Sequence, residues 1–416
     1  MPDMRPQWVL VAQSSPPHCV YVLFFYGSPF RILNDASLFE SLFDRSRPFY
    51  NKKKIQHIQE DTDMNMVVQP RSLVEDRTYL RHFWHPVCTM DELKAAGPDG
   101  RGPLGARLLG EGVVIVELEG KVVAMRDRCA HRFAKLSAGK IVDERLQCPY
   151  HGWQYNADGR CGKIPAAPND PIPKKAFTPN YECEVRYGLV WVRLDSTWNA
   201  TQIPYCGAWD NPEYKKVIIA KPYNWDSSAE RRWENFTDFS HFAYVHPGTL
   251  YDPAYSEPAI VPMDRVDGEL RFYMEPGKDM VDILPPDSPL GSWDYRAAMP
   301  FTINLDIRLY RNDQPFLLWT TSSPIDGETC RNFMIIAHTD PDMPDSVPLD
   351  FQKVVLAEDQ PVIETQPGDL SLEEVSLPTD KVSNQYRKWL RELAMGAQDG
   401  QEAFKKALYT NLIESE

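Results

Sequence analysis

Apolar and polar residues alternate along "EGVVIVELEGKVVAMRD" (111–127), pause at a Glu-Gly pair and alternate again. A period of two marks strands, so this stretch is predicted to form two short antiparallel strands joined by a turn. "YGLVWVRLD" (187–195) reads as another. The period changes downstream. In "LDFQKVVLAEDQPVIETQ", Gln352, Val355, Leu356 and Asp359 stand at i, i+3, i+4 and i+7, and Ile363 extends the stripe, which predicts a helix with one buried face. "SSAERRWENFTDFSHFAYV" (227–245) has helix-forming composition, with Ser227 the expected N-cap and Glu230 three residues on. Residues 1–65 hold no clear period, and organised sequence begins near "SLVEDRTYLRHFWHPV". They are read as a disordered or non-native leader, with the true start at Met64 or Met66. The alternative is a targeting or interaction arm whose apolar patch needs a partner.

Strands followed by helices make the chain α+β. Its 416 residues suffice for two or three domains. The expected division is the leader, then 66–195, then 196–416. A net charge of −14 argues against nucleic acid or an anionic membrane as partner. Eight scattered cysteines are too few for a disulfide scaffold and fit a reduced, cytoplasmic setting. The longest apolar run, "CVYVLFFYG", is about half the length of a membrane span, and no secretory signal is evident.

The chemistry lies in two places. "CAHRFAKLSAGKIVDERLQCPYHGW" gives C-x-H, sixteen residues, then C-x-x-H. Cys129, His131, Cys148 and His151 are metal ligands by spacing. Zinc is one option. A Rieske [2Fe–2S] cluster, with Cys129 and Cys148 on one iron and His131 and His151 on the other, is the second, and the mixing of one Cys with one His in each pair favours it. Cys161 reads as a structural thiol, and His82 and His85 as packed residues. The second place is the helix at 227–245. Asn235, Asp238 and His241 drift round one face, and His246 is about 140° from His241 on an ideal helix. Pro247 pushes His246 out of helical geometry and Gly248 allows a sharp exit, so His246 is expected on a broken end, turned back toward His241. Two histidines need one carboxylate to hold non-haem Fe(II). Asp359 is the stronger candidate because it lies in the buried stripe. Glu358, about 100° away on the helix, is the weaker.

The motif set C-x-H…C-x-x-H, N-x-x-D-x-x-H-x-x-x-x-H and E-D-x-P-V-I-E resembles the Rieske non-haem iron oxygenases over nearly everything after residue 66. That resemblance implies a small all-β Rieske domain and a helix-grip catalytic domain, a curved antiparallel sheet around a long helix. It implies head-to-tail trimers, homomeric or shared with a paralogue, with Asp238 bridging His241 to His151 of a neighbouring copy and Asn235 beside it. It also implies O2 as co-substrate and NADH electrons delivered by a separate reductase. "YLRHFWHPVCT", "AERRWENFTDFSHFAYVHPGTLYDP", "VDGELRF" and "QYRKWLREL" are similar to the bacterial methylxanthine N-demethylases that degrade caffeine. On that likeness the pocket for a purine alkaloid falls on Phe236, Phe242, Trp293, Leu318, Gln352, Val355 and Leu356. Gln352 and Leu356 match N3-acting members, which carry Gln and Leu where N1-acting ones carry Asn and Phe. The expected reaction is hydroxylation of an N-methyl group with loss of formaldehyde. Two alternatives are a Rieske oxygenase on another substrate, such as an aromatic O-demethylase or ring hydroxylase, and a plain Rieske electron carrier.

Overall fold

The computed structural model describes residues 9–13, 20–24, 72–74, 76–250, 260–274, 290–309 and 314–413. The chain divides into two compact units, 1–69 and 70–416. In the first, β1 (Val9–Gln13) pairs antiparallel with β2 (Val20–Phe24), a hairpin in the segment where the sequence shows no period. The rest of the leader, with Met64 and Met66, lies outside the described residues.

The second unit opens with β3 (His85–Thr89), β4 (Leu104–Leu108), β5 (Glu111–Leu118), β6 (Lys121–Arg126), β7 (Lys140–Val142), β8 (Arg145–Gln147), β9 (Gln154–Tyr155), β10 (Cys161–Lys163), β11 (Asn180–Arg186) and β12 (Leu189–Arg193). They form a six-stranded sheet ordered β3-β12-β11-β6-β5-β4 and a four-stranded sheet ordered β10-β9-β8-β7. The alternation at 111–127 becomes β5 and β6, but β5 is buried on both faces. Val113 and Ile115 enter one core with Val87, Val190 and Val192. Val114, Val116 and Leu118 enter another with Leu146, Tyr155, Cys129 and Cys148. The second face of β5 is therefore the floor beneath the two cysteines.

The later strands are β13 (Lys216–Ile219), β14 (Tyr223–Trp225), β15 (Met263–Val266), β16 (Glu269–Met274), β17 (Leu290–Ala298), β18 (Thr302–Leu309), β19 (Pro315–Pro324) and β20 (Cys330–His338). They make one antiparallel sheet, ordered β13-β20-β19-β18-β17-β16-β15, with β14 also on β20. The helices are α1 (Met90–Ala95), α2 (Ala229–Thr237), α3 (Phe242–Val245), α4 (Ser346–Ile363), α5 (Lys381–Gln398) and α6 (Gln401–Tyr409). Val382, Tyr386, Trp389, Leu390 and Leu393 make one face of α5, and they pack in one core with Tyr295, Ile303 and Leu305 of the sheet. A long helix against an antiparallel sheet is the helix-grip arrangement.

Helix α2 joins this core although four of its nine residues are charged. Glu230, Arg231, Arg232 and Glu234 are all buried. Each has a partner, as buried charge requires. Arg77 approaches Glu230 at 3.5 Å, and Arg231 Nη1 donates to Glu374 at 3.0 Å. Arg387 forks onto Glu234 at 2.5 and 2.8 Å. Burial pushes the Glu234 carboxyl up, and Arg387 opposes it. Removing Glu234 takes two charge-assisted hydrogen bonds from Arg387, which keeps only Glu374 at 2.8 Å. Glu234→Ala is therefore expected to lose about 3 kcal/mol of stability, read as a lower urea midpoint. Lys353→Ala, which breaks an exposed pair with Asp350, should hardly move it.

Candidate metal centres

Two loops are closed by the same pair of backbone hydrogen bonds. Cys129 N–H donates to Ala134 O and Phe133 N–H to Cys129 O, both at 2.9 Å; Cys148 N–H donates to Trp153 O at 2.8 Å and Gly152 N–H to Cys148 O at 3.2 Å. The closing residue has positive φ in each, 60° at Phe133 and 71° at Gly152. Glycine adopts this freely, whereas phenylalanine does so at a steric cost. The equivalent loops set like against like. The Cys148 thiol adjoins that of Cys129, and both are buried. The His131 and His151 rings lie 4.5 Å apart. Trp153 stacks flat on His131 at 4.7 Å.

The donors suit two irons better than one zinc. Nδ1 of His131 is buried with no hydrogen-bond partner. Burial and the adjacent Cys129 raise the Cys148 thiol, which needs a bound cation to ionise. Among the described residues, the only three donors gathered within 4.8 Å of one another are elsewhere. The quartet thus fits a [2Fe–2S] cluster, with thiolates at the buried end and imidazoles at the outer end, where His151 is exposed. Sequence reading missed Tyr155. Its oxygen accepts Ala130 N–H at 2.9 Å, and the hydroxyl shares a hydrogen bond with Cys129 Sγ at 3.1 Å. Cys161 packs in the same core as Cys129 and Cys148, and its thiol hydrogen-bonds Lys163 O at 3.4 Å. His85 bonds Leu80 O at 2.9 Å and His82 stacks on Trp198 at 3.8 Å.

The second centre departs from the expected helix. α2 is capped by Ser228, not Ser227, through Arg231 N–H at 3.2 Å. It stops at Thr237, well short of His241. Thr237 Oγ1 bonds back to Trp233 O at 3.1 Å, and Asp238 Oδ1 accepts Ser240 N–H at 2.8 Å. Such local side-chain bonds compete with the helix ladder. His241 then heads the single turn α3 and His246 closes it. The break brings the two rings to 5.2 Å between centroids. Helix α4 supplies Asp359, whose Oδ1 is 3.4 Å from His241 Nε2 and 3.1 Å from His246 Nε2. Glu358 is not at this point; its Oε2 lies 2.8 Å from His246 Nδ1, on the far side of the ring.

Buried charge governs this cluster. Asn235 Nδ2 donates to Asp359 Oδ1 at 3.0 Å, and Arg232 Nη1 donates to Asn235 Oδ1 at 3.0 Å. Burial opposes ionisation of Asp359, but hydrogen bonds from both histidines and the Arg232 charge hold its carboxyl far below the ordinary range. Burial would likewise lower His241. Asp238, with Oδ2 at 3.2 Å from Nδ1, and Asp359 overcome it and raise the ring to about 9. A metal must therefore displace a proton from His241 at neutral pH. Burial also opposes the Asp238 charge, and its bond with His241 keeps the carboxyl below its usual value. Two imidazoles and one carboxylate suit Fe(II) with open positions.

The triad has two different sides. A cavity of about 280 Å³ opens onto Asn235, Asp238, His241 and Asp359. Phe242 lies on the other side, 4.8 Å from His241, 5.8 Å from His246 and 5.9 Å from Trp293. Trp293 and Leu318 come from the inner sheet face in the same core. Gln352 and Val355 are buried on the α4 face that carries Asp359, and Leu356 is partly buried beside them. Phe236 is partly buried under the Arg232 guanidinium, 5.2 Å from its ring.

A Cys₂His₂ cluster site and a two-histidine-one-carboxylate triad in one chain define an oxidoreductase that feeds single electrons to a mononuclear iron. The Rieske [2Fe-2S] domain family matches residues 83–182, and the vanillate O-demethylase oxygenase C-terminal domain family matches 225–395. A methylxanthine N3-demethylase of Pseudomonas putida is 51% identical over 356 residues, 84% of this chain and 100% of that protein. A methylxanthine N1-demethylase of the same species is 52% identical over 343 residues, 82% of this chain and 97% of that one. The solved structure of Pseudomonas putida CBB5 NdmA with caffeine superposes with a TM-score of 0.78 at 52% identity, covering 82% of this chain and 98% of that one. The chain belongs to the Rieske non-haem iron oxygenases, in the group that holds these N-demethylases. It is a monooxygenase with a [2Fe–2S] cluster and a mononuclear iron. No helix among the described residues is long and apolar enough to cross a membrane.

His241→Ala, His246→Ala and Asp359→Ala are each expected to lose the mononuclear iron and keep the visible Rieske spectrum. Metal analysis should fall from about three irons per chain to about two. A variant that still carries three removes that residue from the ligand set.

Proposed function

We propose that the chain is the oxygenase component of a methylxanthine N-demethylase, acting in the cytoplasm with a separate NADH reductase. The observation that carries this is identity of 51% and 52% across nearly the whole length of two such enzymes. Residues 66–195 accept the electrons and 196–416 carry out the oxidation. When bound, the cluster and the iron supply one-electron transfer and O2 activation. The balanced change is N–CH3 + O2 + NADH + H⁺ → N–H + HCHO + NAD⁺ + H2O, through an N-hydroxymethyl product that collapses to formaldehyde.

The chain's own residues then have distinct tasks. His241, His246 and Asp359 hold the iron. Phe236, Phe242, Trp293, Leu318, Val355 and Leu356 enclose a flat purine-dione, and the Gln352 amide reads a ring carbonyl or nitrogen. The buried Trp293 N–H has no protein partner and is available to the same ligand. Asp238, with Asn235 beside it, joins His241 to His151 of a neighbouring copy in a head-to-tail trimer, homomeric or mixed. Exposed His151 flanked by exposed Tyr150, and the cavity at Asp238, support this pairing. Asp238→Asn should keep both metal sites and a reducible cluster while turnover collapses. Near-normal turnover would make Asp238 merely structural.

A second reading, O-demethylation of an aromatic ether, is favoured by the family match at 225–395. Incubation with caffeine, theobromine and theophylline against vanillate-type ethers, with NADH and a matching reductase, separates the two.

Position on the ring is assigned to N3. Overall identity does not choose between the relatives, so the assignment rests on Gln352 and Leu356, one turn apart beside Asp359. A longer amide and a smaller apolar neighbour shift the purine and present a different methyl to the iron. One amide and one aliphatic exchange supply about 1–3 kcal/mol of discrimination, roughly tenfold to a few hundredfold. Paraxanthine is the expected product from caffeine, and Gln352→Asn with Leu356→Phe should shift the profile toward theobromine. Theobromine from the unaltered protein overturns the N3 assignment.

A further inference from the structure

We infer that Glu358 is a positioning residue for the mononuclear iron, fixing the orientation and tautomer of His246 from outside the ligand set. Its neighbour Asp359 points at the His246 Nε2 atom, 3.1 Å away. Glu358 reaches past the edge of the same ring, and its Oε2 lies 2.8 Å from Nδ1. A carboxylate can only accept, so Nδ1 is the donor to Glu358, and Nε2, which faces Asp359 in the metal-free geometry, is the nitrogen turned to the metal point. The second oxygen is also held, because Thr249 Oγ1 donates to Glu358 Oε1 at 2.7 Å. The His246 ring is 1% exposed, so no water competes for Nδ1.

This clamp has a mechanical side. His246 sits on the loop that leaves α3 through Pro247 and Gly248, a loop with little regular structure to hold it. Gly248 has φ 78° and no heavy atom within 4 Å of where a Cβ would stand. Glu358 ties both ends of that turn, His246 and Thr249, to the helix that carries Asp359. Consecutive residues of α4 thus do two jobs. Asp359 faces the metal point, and Glu358, one position earlier, sets the angle at which the second imidazole meets it. Asp238 holds Nδ1 of His241 in the same way, at 3.2 Å. The two carboxylates differ in place. Asp238 lines the 280 Å³ cavity, whereas Glu358 is not among its lining residues. Loss of Glu358 should therefore strike iron retention, and loss of Asp238 the passage of electrons.

The inference rests on the triad being the iron site. The test is Fe(II) affinity by chelator competition on the full chain with its Rieske cluster intact, plus the EPR signal of the ferrous site with nitric oxide. Glu358→Ala is expected to weaken Fe(II) by about 10–100-fold and to alter the EPR rhombicity, with the Rieske spectrum unchanged. Glu358→Gln keeps an oxygen that can accept from Nδ1 but loses the charge, so its affinity should fall between. Thr249→Val should weaken iron a fewfold. If Glu358→Ala binds iron as tightly as the unaltered chain with the same signal, the inference is overturned. Should Glu358→Ala not fold, the other two variants decide: unchanged affinity and signal in both overturns it, and weaker iron at unchanged Tm supports it. Failure of the unaltered chain to bind Fe(II) would instead reject the triad.

Discussion

The charge on Asp359 is the constraint around which the catalytic half is arranged. This carboxylate is 5% exposed yet held ionised. A lone buried carboxylate would protonate instead. Two imidazoles, the Asn235 amide and, through Asn235, the Arg232 guanidinium keep it charged. Arg232 is itself buried, and it rests over the Trp225 ring at 4.7 Å while donating to Tyr223 at 3.3 Å. The other buried charges of α2, Glu230, Arg231 and Glu234, are compensated separately. Arg77, Glu374 and Arg387 are their partners, in a second network of ion pairs. They reach it from segments far apart in the chain, so closing it also docks the Arg77 segment, the Glu374 loop and α5 onto α2.

The Rieske half solves a different problem by repetition. Its buried carboxylate, Asp127, accepts two hydrogen bonds from Ser137 and stands outside the candidate ligand set. This half needs two thiols side by side and two imidazoles side by side. Two loops of equal closure deliver that with few long-range contacts, and β5 provides a rigid floor. The loops differ in where the histidine falls, C-x-H against C-x-x-H, and where φ turns positive one uses glycine and the other accepts strain at Phe133.

These two solutions explain what was legible in the sequence. The candidate cluster ligands lie in short loops, so spacing alone marked Cys129, His131, Cys148 and His151 as a set, and the fold brings thiol to thiol and ring to ring. The strands at 111–127 were legible from alternation, although the run Val113–Val116 obscured it because both faces of β5 are buried. Asp359 could be separated from Glu358 because the α4 stripe buries one and leaves the other at the edge. The break after Thr237 was not legible. Composition favoured a continuous helix, and three local polar side chains at 237, 238 and 240 undid it. Nor were the tasks of Arg232, Tyr155 and Glu358. Glu358 meets His246 across 112 positions of sequence, and no period or motif spans such a gap. What a helical wheel reads as an off-face acid is, in three dimensions, an acid aimed at the back of a ligand.

The same geometry gives the triad its two-sidedness. His241 is held by Asp238, which faces a polar cavity, and His246 is held by Glu358 away from it. Phe242 is the residue after His241, so the turn that offers one imidazole to the metal also lays an aromatic ring against both. Apolar surface and metal are thus fixed by one four-residue helix whose ends are the two histidines. Any movement that spreads the rings also moves the wall of the candidate substrate pocket. Iron binding and substrate binding consequently draw on a single element, and a ligand that rigidifies α3 should favour the metal as well as itself.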